Sequence, residues 1–258
     1  MDKLLDFTGQ VTLITGAAQG FGALLARALG ERGAKLVLGD VKKEALQGVV
    51  ADLQKDGIEA IALDCNVAIE AQCKAMVDTA IEQFGRLDIA VNNAGIGQPL
   101  ELTEDVDDAT FDAQWKVNVM GVQYGMRHQI KAMKPKGSGT ILNVSSMAGL
   151  GGAPRLAAYS AAKHAVIGLS KTAAVETAAL GIRVNAICPF FSLTPLVTNS
   201  ALAAAGLDQA KAQLSRGAPM KRLAEPEEIV NTMVLLLSPG NTYLTGQAIA
   251  VDGGVSAM

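Results

Sequence analysis

The 258-residue chain has only two histidines, three cysteines and one tryptophan, and aromatic residues make up 4% of it. His128 and His164 lie far apart, and neither an H-E-x-x-H zinc motif nor a G-x-S-x-G nucleophile elbow occurs, so zinc-protease and serine-hydrolase chemistry lack their parts. Both histidines read as structural, and no metal is expected. Cys65, Cys73 and Cys188 are odd in number and have no CxxC spacing, which argues against a disulfide framework or a zinc ribbon. They read as buried thiols of a reducing compartment. Lysine and arginine form no cluster, and a net charge of -3 offers no field for polyanions, so nucleic acid is not an expected partner. Long hydrophobic runs are also missing. The most apolar window, IVNTMVLLL at 229–237, is too short to span a bilayer and is interrupted by Asn231 and Thr232. The first ten residues carry Asp2 and Asp6 and no apolar stretch of signal-peptide length. The expectation is a cytoplasmic protein without a membrane partner.

What is present is a chain with 50% hydrophobic and 18% charged residues, enough to bury a large core without a staple. Short runs rich in Val, Ile and Leu recur at 11–15, 35–39, 58–63, 87–92, 139–145, 183–188 and 247–252. Between them lie segments of helical periodicity near 21–32, 42–56, 68–84, 105–134, 157–179 and 225–237, the fourth expected as two helices broken near Gly121. This alternation implies right-handed βαβ crossovers and a parallel sheet covered on both faces: a doubly wound α/β fold in a single domain over 1–258. No linker or repeat divides the chain. One stretch, 190–223, is longer than an ordinary connection, and its alanine-rich centre NSALAAAGLDQAKAQL has the character of a lid built from short helices.

The first strand runs into TGAAQGFG at 15–22. A strand, a glycine-rich turn and a helix N-terminus make an anion site, because free N–H groups and the positive end of the helix dipole face the turn. Gly16, Gly20 and Gly22 give T-G-x-x-x-G-x-G rather than G-x-G-x-x-G, since Leu25 stands where the third glycine of that fingerprint would be. Asp40 closes the second strand, where a carboxylate accepts from adenosine ribose hydroxyls and repels a 2′-phosphate, which points to NAD rather than NADP. The alternative role for Asp40 is a helix N-cap before KKEALQ, and the two can coexist.

Tyr159 and Lys163 are four residues apart in a helical segment and so share a face. A tyrosine hydroxyl, ordinarily near pKa 10, becomes a usable base when a fixed ammonium favours its phenolate. The Y-x-x-x-K spacing alone arises on many helices. Taken together, TGAAQGFG, NNAG at 92–95, Asn118, Ser146, YSAAK and LTGQAIAVDGG resemble the short-chain dehydrogenase/reductase family, in order and over essentially the whole chain.

The resemblance implies a Rossmann-type seven-stranded parallel sheet in the order 3-2-1-4-5-6-7 with helices on both faces. It implies that Tyr159 is the acid/base, that Lys163 holds the nicotinamide ribose and depresses the tyrosine pKa, and that Ser146 hydrogen-bonds the substrate oxygen. Asn118 would sit at a helix kink and hold a water, while Ser145 would be structural. The cofactor-binding set so implied is Gly16, Gln19, Gly20, Phe21, Gly22, Asp40, Asn66, Val67, Asn92, Ala94, Gly95, Tyr159, Lys163, Pro189 and Thr194. Asn92 within it would brace the central sheet, Asn66 stands where the family has an adenine-contacting aspartate, and Thr194 could instead serve as an N-cap before the lid. Phe190 stands where the family has glycine. Gln98, Met147, Leu150, Phe190, Phe191 and Leu196, with Ser146 and Tyr159, are expected to bind substrate. Pro99, Leu100, Val197 and Met220 would border the same pocket. This mainly apolar lining favours a hydrophobic secondary alcohol or ketone, cyclic, aromatic or steroid-like. The alternatives are a 3-oxoacyl-carrier-protein reductase and a non-catalytic NAD-binding sensor or scaffold. A homodimer or homotetramer is expected, by resemblance and because alanines line the 157–179 helix.

Overall fold

The computed structural model describes residues 2–198 and 206–258. Seven strands form one parallel sheet in the order β3-β2-β1-β4-β5-β6-β7. They are β1 (Val11–Thr15), β2 (Lys35–Asp40), β3 (Ala60–Asp64), β4 (Ile89–Asn92), β5 (Gly139–Val144), β6 (Ile182–Pro189) and β7 (Ala248–Val251). Each side chain's face follows from the pleat. Val11 and Leu13 join one core with Val37, Ala90 and Ile141, while Ile14 joins the other with Leu36, Leu38, Ile89 and Leu142. Near-continuous apolar strands are the signature of a sheet buried on both sides.

The second of these cores is closed by α1 (Gly20–Gly30), α2 (Lys43–Lys55) and α9 (Pro226–Leu237), through residues such as Leu25, Leu46 and Met233. The other is closed by α3 (Glu70–Phe84), α5 (Gly121–Met133) and α6 (Ala157–Thr177), through Met76, Met126 and Val166. His128 links α5 to α3, its Nε2 lying 3.2 Å from Glu70 Oε1, while His164 Nδ1 lies 2.9 Å from Ser160 O within α6 itself.

The fourth helical segment differs from expectation. There is no break near Gly121; α4 (Asp108–Gln114) continues through one π-helical stretch, Trp115–Met120, directly into α5. The extra residue of a π-turn widens the helix at Asn118, and such turns concentrate at functional sites. The stretch 190–223 contains α7 (Pro195–Thr198) and α8 (Leu207–Gly217), while part of its alanine-rich centre, 199–205, lies outside the described residues.

At the amino edge of the sheet, Asp88 is 3% exposed and accepts from Val11 N at 2.9 Å, from Arg86 at 2.8 Å and from Lys136 Nζ. It ties the first and central strands to the loop before β5. Asp88→Asn leaves two cations without a counter-charge; because both reach solvent, the expected loss is about 2 kcal/mol in urea unfolding. An unchanged midpoint would show that the ion pairs contribute nothing.

Candidate active site

The site grows from the carboxyl edges of β1 and β4, the point at which strand order reverses. Gly16 and Gly20 have φ of +67° and +56°, which favour glycine. A Cβ on Gly22 would lie 2.2 Å from Gly16 O, and one on Gly16 would lie 2.8 Å from Ala94 Cα, so the turn is folded against itself and against NNAG. Asn93 Nδ2 donates to Thr15 O at 2.9 Å and to Gly16 O at 3.0 Å, while Thr15 Oγ1 accepts from the N–H groups of Asn93 and Ala94 at 3.1 Å. Turn and loop are one unit. Gln19 is the residue before α1, and the first bond there runs from Ala23 N to Gln19 O at 3.4 Å, so the N–H groups of Gly20, Phe21 and Gly22 precede the helix ladder.

Asp40 is buried, with Oδ2 accepting from Ala18 N at 3.0 Å and Oδ1 from Lys42 N at 2.9 Å. The N-cap of α2 is Lys42, so Asp40 forms a turn ahead of the helix rather than its cap, and each carboxylate oxygen retains a lone pair for a ligand hydroxyl. Lys42 Nζ is in turn held by Gln19 Oε1 at 2.8 Å. A cradle of N–H groups that only glycine permits, beside a carboxylate on the second strand, fits a nicotinamide dinucleotide.

Across the crevice, β5 ends at Val144 and leads through Ser145 and Ser146 toward α6, which carries Tyr159 and Lys163 on one face. Lys163 is 5% exposed and donates from Nζ to Val144 O at 2.8 Å, with its nitrogen 5.5 Å from the Tyr159 ring centroid. Burial without a counter-carboxylate pulls the Lys163 ammonium down to about 8. Burial pushes the Tyr159 hydroxyl above its ordinary value, and the Ser146 hydroxyl, bonded to it, pulls the other way. In the ligand-free chain burial is the larger influence on Tyr159, and the opposing pull comes from Ser146. Ser145 Oγ donates to Lys163 O at 2.8 Å, a structural contact.

A sequence model of the family described as Enoyl-(Acyl carrier protein) reductase matches residues 16–256. The chain belongs to the short-chain dehydrogenase/reductase family. It is similar to the cis-4-hydroxycyclohexanecarboxylate dehydrogenase of Sinomonas cyclohexanicum, with 39% identity covering 98% of both chains. It is also similar to the cyclohexanol dehydrogenase of Acinetobacter sp. (strain SE19), 36% identical over the full length of both. Among solved structures, levodione reductase superposes with a TM-score of 0.93 at 37% identity, covering 97% of this chain and 99% of that one. Like its family, the protein is an oxidoreductase of secondary alcohols and ketones that works with a nicotinamide cofactor.

Within this family member, several expected residues fall into place around the crevice. Thr194, just before α7, packs against the turn, its side chain 3.6 Å from where a Cβ on Gly20 would sit; its backbone O also accepts from Val197 N and Thr198 N at 2.9 Å. Leu196 reaches across to Gly97 at a similar distance from its virtual Cβ. Gly95 lies over Asn118 and Lys163, and Pro189 ends β6. Asn118 is fully buried in the π-turn, where its side chain pins Ile96 by both N–H and C=O at 2.9 Å.

Others lie beneath the crevice or at its margin. Asn92 sits under the site, bonded to Gln129 and Asn143 at 2.7–3.0 Å, and so braces the sheet; it is the next residue, Asn93, that holds the turn. The Val67 side chain belongs to the core against Gly121, and Phe21 packs on the opposite core. Asn66 Oδ1 is engaged by Ala68 N at 3.0 Å, leaving its amide nitrogen to meet a ligand. Gln98 Oε1 accepts from Tyr159 N at 2.6 Å, Met147 opens the short turn after Ser146, and Leu150 is partly exposed.

Phe190 and Phe191 stack edge to face at 5.0 Å and line a cavity of about 100 Å³ with Met220, Arg222, Glu228 and Asp252. Neither Ser146, Tyr159 nor Lys163 lines it. Extended β6 carries the two rings toward the ends of β7 and α9. Sequence reasoning also passed over Gln114, whose Nε2 donates to Gly97 O at 2.6 Å and whose Oε1 accepts from Asn118 at 2.5 Å. Its position four residues before Asn118 on a helix was the available signal.

Because Lys163 titrates near 8 when folded against about 10.4 unfolded, the unfolded chain binds more protons between those values, and stability rises with pH across that window. In ligand-free protein the expected gain is on the order of 3 kcal/mol and is absent in Lys163→Met. Parallel pH profiles of thermal unfolding for the two proteins would refute it.

Proposed function

We propose that the protein is an NAD-dependent dehydrogenase/ketoreductase of hydrophobic, ring-bearing secondary alcohols and ketones. It is a single catalytic domain with a lid over 190–223, working in the cytoplasm as a homodimer or homotetramer. The observation that carries this reading is the convergence of Ser146, Tyr159 and buried Lys163 at the carboxyl end of β5, facing the glycine cradle. The named substrates of the similar enzymes are cyclic, and Leu196 and Met147 offer apolar walls. Asp40, with a free lone pair on each oxygen, supports NAD. The three buried free thiols are in keeping with a reducing compartment.

In this reading Ser146 Oγ holds the substrate oxygen and Tyr159 Oη takes its proton during oxidation, returning it during reduction. Bound nicotinamide supplies the hydride acceptor or donor. The Lys163 ammonium, fixed by Val144 O, positions the ribose side of the crevice and supports the phenolate once the substrate and cofactor exclude water. Asn118 keeps the Ile96 backbone in register with Gly95, so the floor of the crevice does not shift. With Tyr159 pushed up by burial, kcat/KM for alcohol oxidation rises with pH above neutrality, and ketone reduction favours the lower side.

The test is absorbance at 340 nm with NAD and cyclohexanol. Tyr159→Phe should lower kcat/KM about 10³-fold while leaving NADH binding intact. Asp40→Ser, with Lys42 two residues on, should raise the NADP-to-NAD preference about tenfold or more. Tight NADH binding without turnover of any alcohol or ketone would favour the sensor reading. Relatives at 36–38% identity are named 3-oxoacyl-carrier-protein reductases, so acetoacetyl thioester with NADH belongs in the same panel. For assembly, exposed Phe111, Trp115 and Val175 on α4, the π-turn and α6 support a partner subunit. A monomer in sedimentation at micromolar concentration would refute it.

A further inference from the structure

Helix α6 starts without a cap of its own. Leu156 precedes it at φ -130° and ψ 41° and offers no side-chain acceptor, and the first helical bond runs from Ser160 N to Leu156 O at 2.8 Å. The N–H groups of Ala157, Ala158 and Tyr159 lie ahead of that bond, at the turn that carries the tyrosine. The Tyr159 N–H finds its acceptor 61 residues away, in Gln98 Oε1 at 2.6 Å. The other end of the same amide, Nε2, lies 3.3 Å from Pro99 O, so Gln98 is occupied within the protein on both sides.

The segment that carries Gln98 is itself fastened. Asn118 grips Ile96 at both backbone groups and Gln114 grips Gly97 O, both from buried positions on one helix. A second tie, from Glu101 N to Arg155 O at 3.1 Å, holds the chain just before α6, where Arg155 adopts φ +66°. A non-glycine residue in that region persists only where its surroundings impose it. The loop after β4 is thus clamped onto the entrance of α6 by one side chain and one backbone bond.

We infer that Gln98 is a positioning residue: from the loop after β4 it caps α6 at Tyr159 and sets where the tyrosine hydroxyl meets the substrate oxygen. Its kinetic consequence rests on the dehydrogenase reading above, whereas the cap rests on the contact alone. A first turn without an acceptor frays, and a hydroxyl displaced by even 1 Å loses proton-transfer geometry.

The experiment compares Gln98→Met, which keeps length and removes the acceptor, with Gln98→Glu, which keeps it. With NAD and cyclohexanol, Gln98→Met should lower kcat about ten- to hundredfold with KM for both within about threefold of wild type. Gln98→Glu should recover kcat to within about threefold at the alkaline plateau, because a carboxylate accepts the same N–H at the positive end of α6. Its pH limb should move upward, since a nearby anion favours the neutral phenol. Amide exchange in a peptide spanning Tyr159 should accelerate in Gln98→Met and return to protection in Gln98→Glu. Wild-type kcat in Gln98→Met, a raised KM for cyclohexanol at unchanged kcat, no recovery in Gln98→Glu, or unchanged amide exchange would each overturn the inference. If the wild-type protein oxidises no alcohol, the dehydrogenase reading falls, and the exchange measurement alone then decides the cap.

Discussion

The seat of α6 on the end of β5 governs the site, because Lys163 must bring an amine into the interior and find a carbonyl there. Val144 O provides it at 2.8 Å, and Ser145 Oγ ties the Lys163 backbone to the same strand end. So short a distance leaves no room for side chains between the two elements. A Cβ on Gly149 would lie 2.5 Å from Ser145 Oγ and 2.7 Å from Lys163 O. Gly149 is therefore a steric requirement of the lysine's position, whereas Gly151 and Gly152 have open space beside them. Burying that amine without a carboxylate is unfavourable, which is the origin of its lowered pKa.

Beneath this seat runs a line of buried amides. Asn92 bonds to Gln129 and Asn143, Asn143 donates to Ser170 Oγ at 2.8 Å, and Ser170 Oγ donates to Val166 O at 2.7 Å. The line joins β4, β5, α5 and α6 through groups that are satisfied by one another. Satisfied polar networks of this kind rigidify the elements they connect, whereas an unpartnered member would be costly. The π-turn at Asn118 adds a second set of amide contacts on the loop after β4. Cradle, loop and α6 are thus held by three separate groups of polar side chains on one apolar sheet.

Strand order, both faces of the sheet, the glycine cradle and the Ser146–Tyr159–Lys163 set were legible in the sequence. The buried faces and the glycine cradle are expressed by local periodicity and short spacing, whereas the strand order and the grouping of Ser146 with Tyr159 and Lys163 came from the family resemblance. The helical segment at 105–134 runs on where a break near Gly121 is expected, because Gly121 stays in the helical region and the irregularity lies before it. Asn92 and Asn93 are adjacent and chemically identical; the pleat and chain exit that send one under the sheet and the other to the turn are not written in their names.

The sequence by itself determined the elements, their alternation and the chemical inventory, because strand and helix periods are local and glycine's freedom at Gly16 and Gly20 belongs to single residues. Only the tertiary structure decided that Phe190 and Phe191 line a cavity at the ends of β7 and α9, that burial raises the Tyr159 hydroxyl, and that Gln98 meets the first turn of α6. Each of these depends on which groups meet across dozens of residues and on how much water their meeting removes.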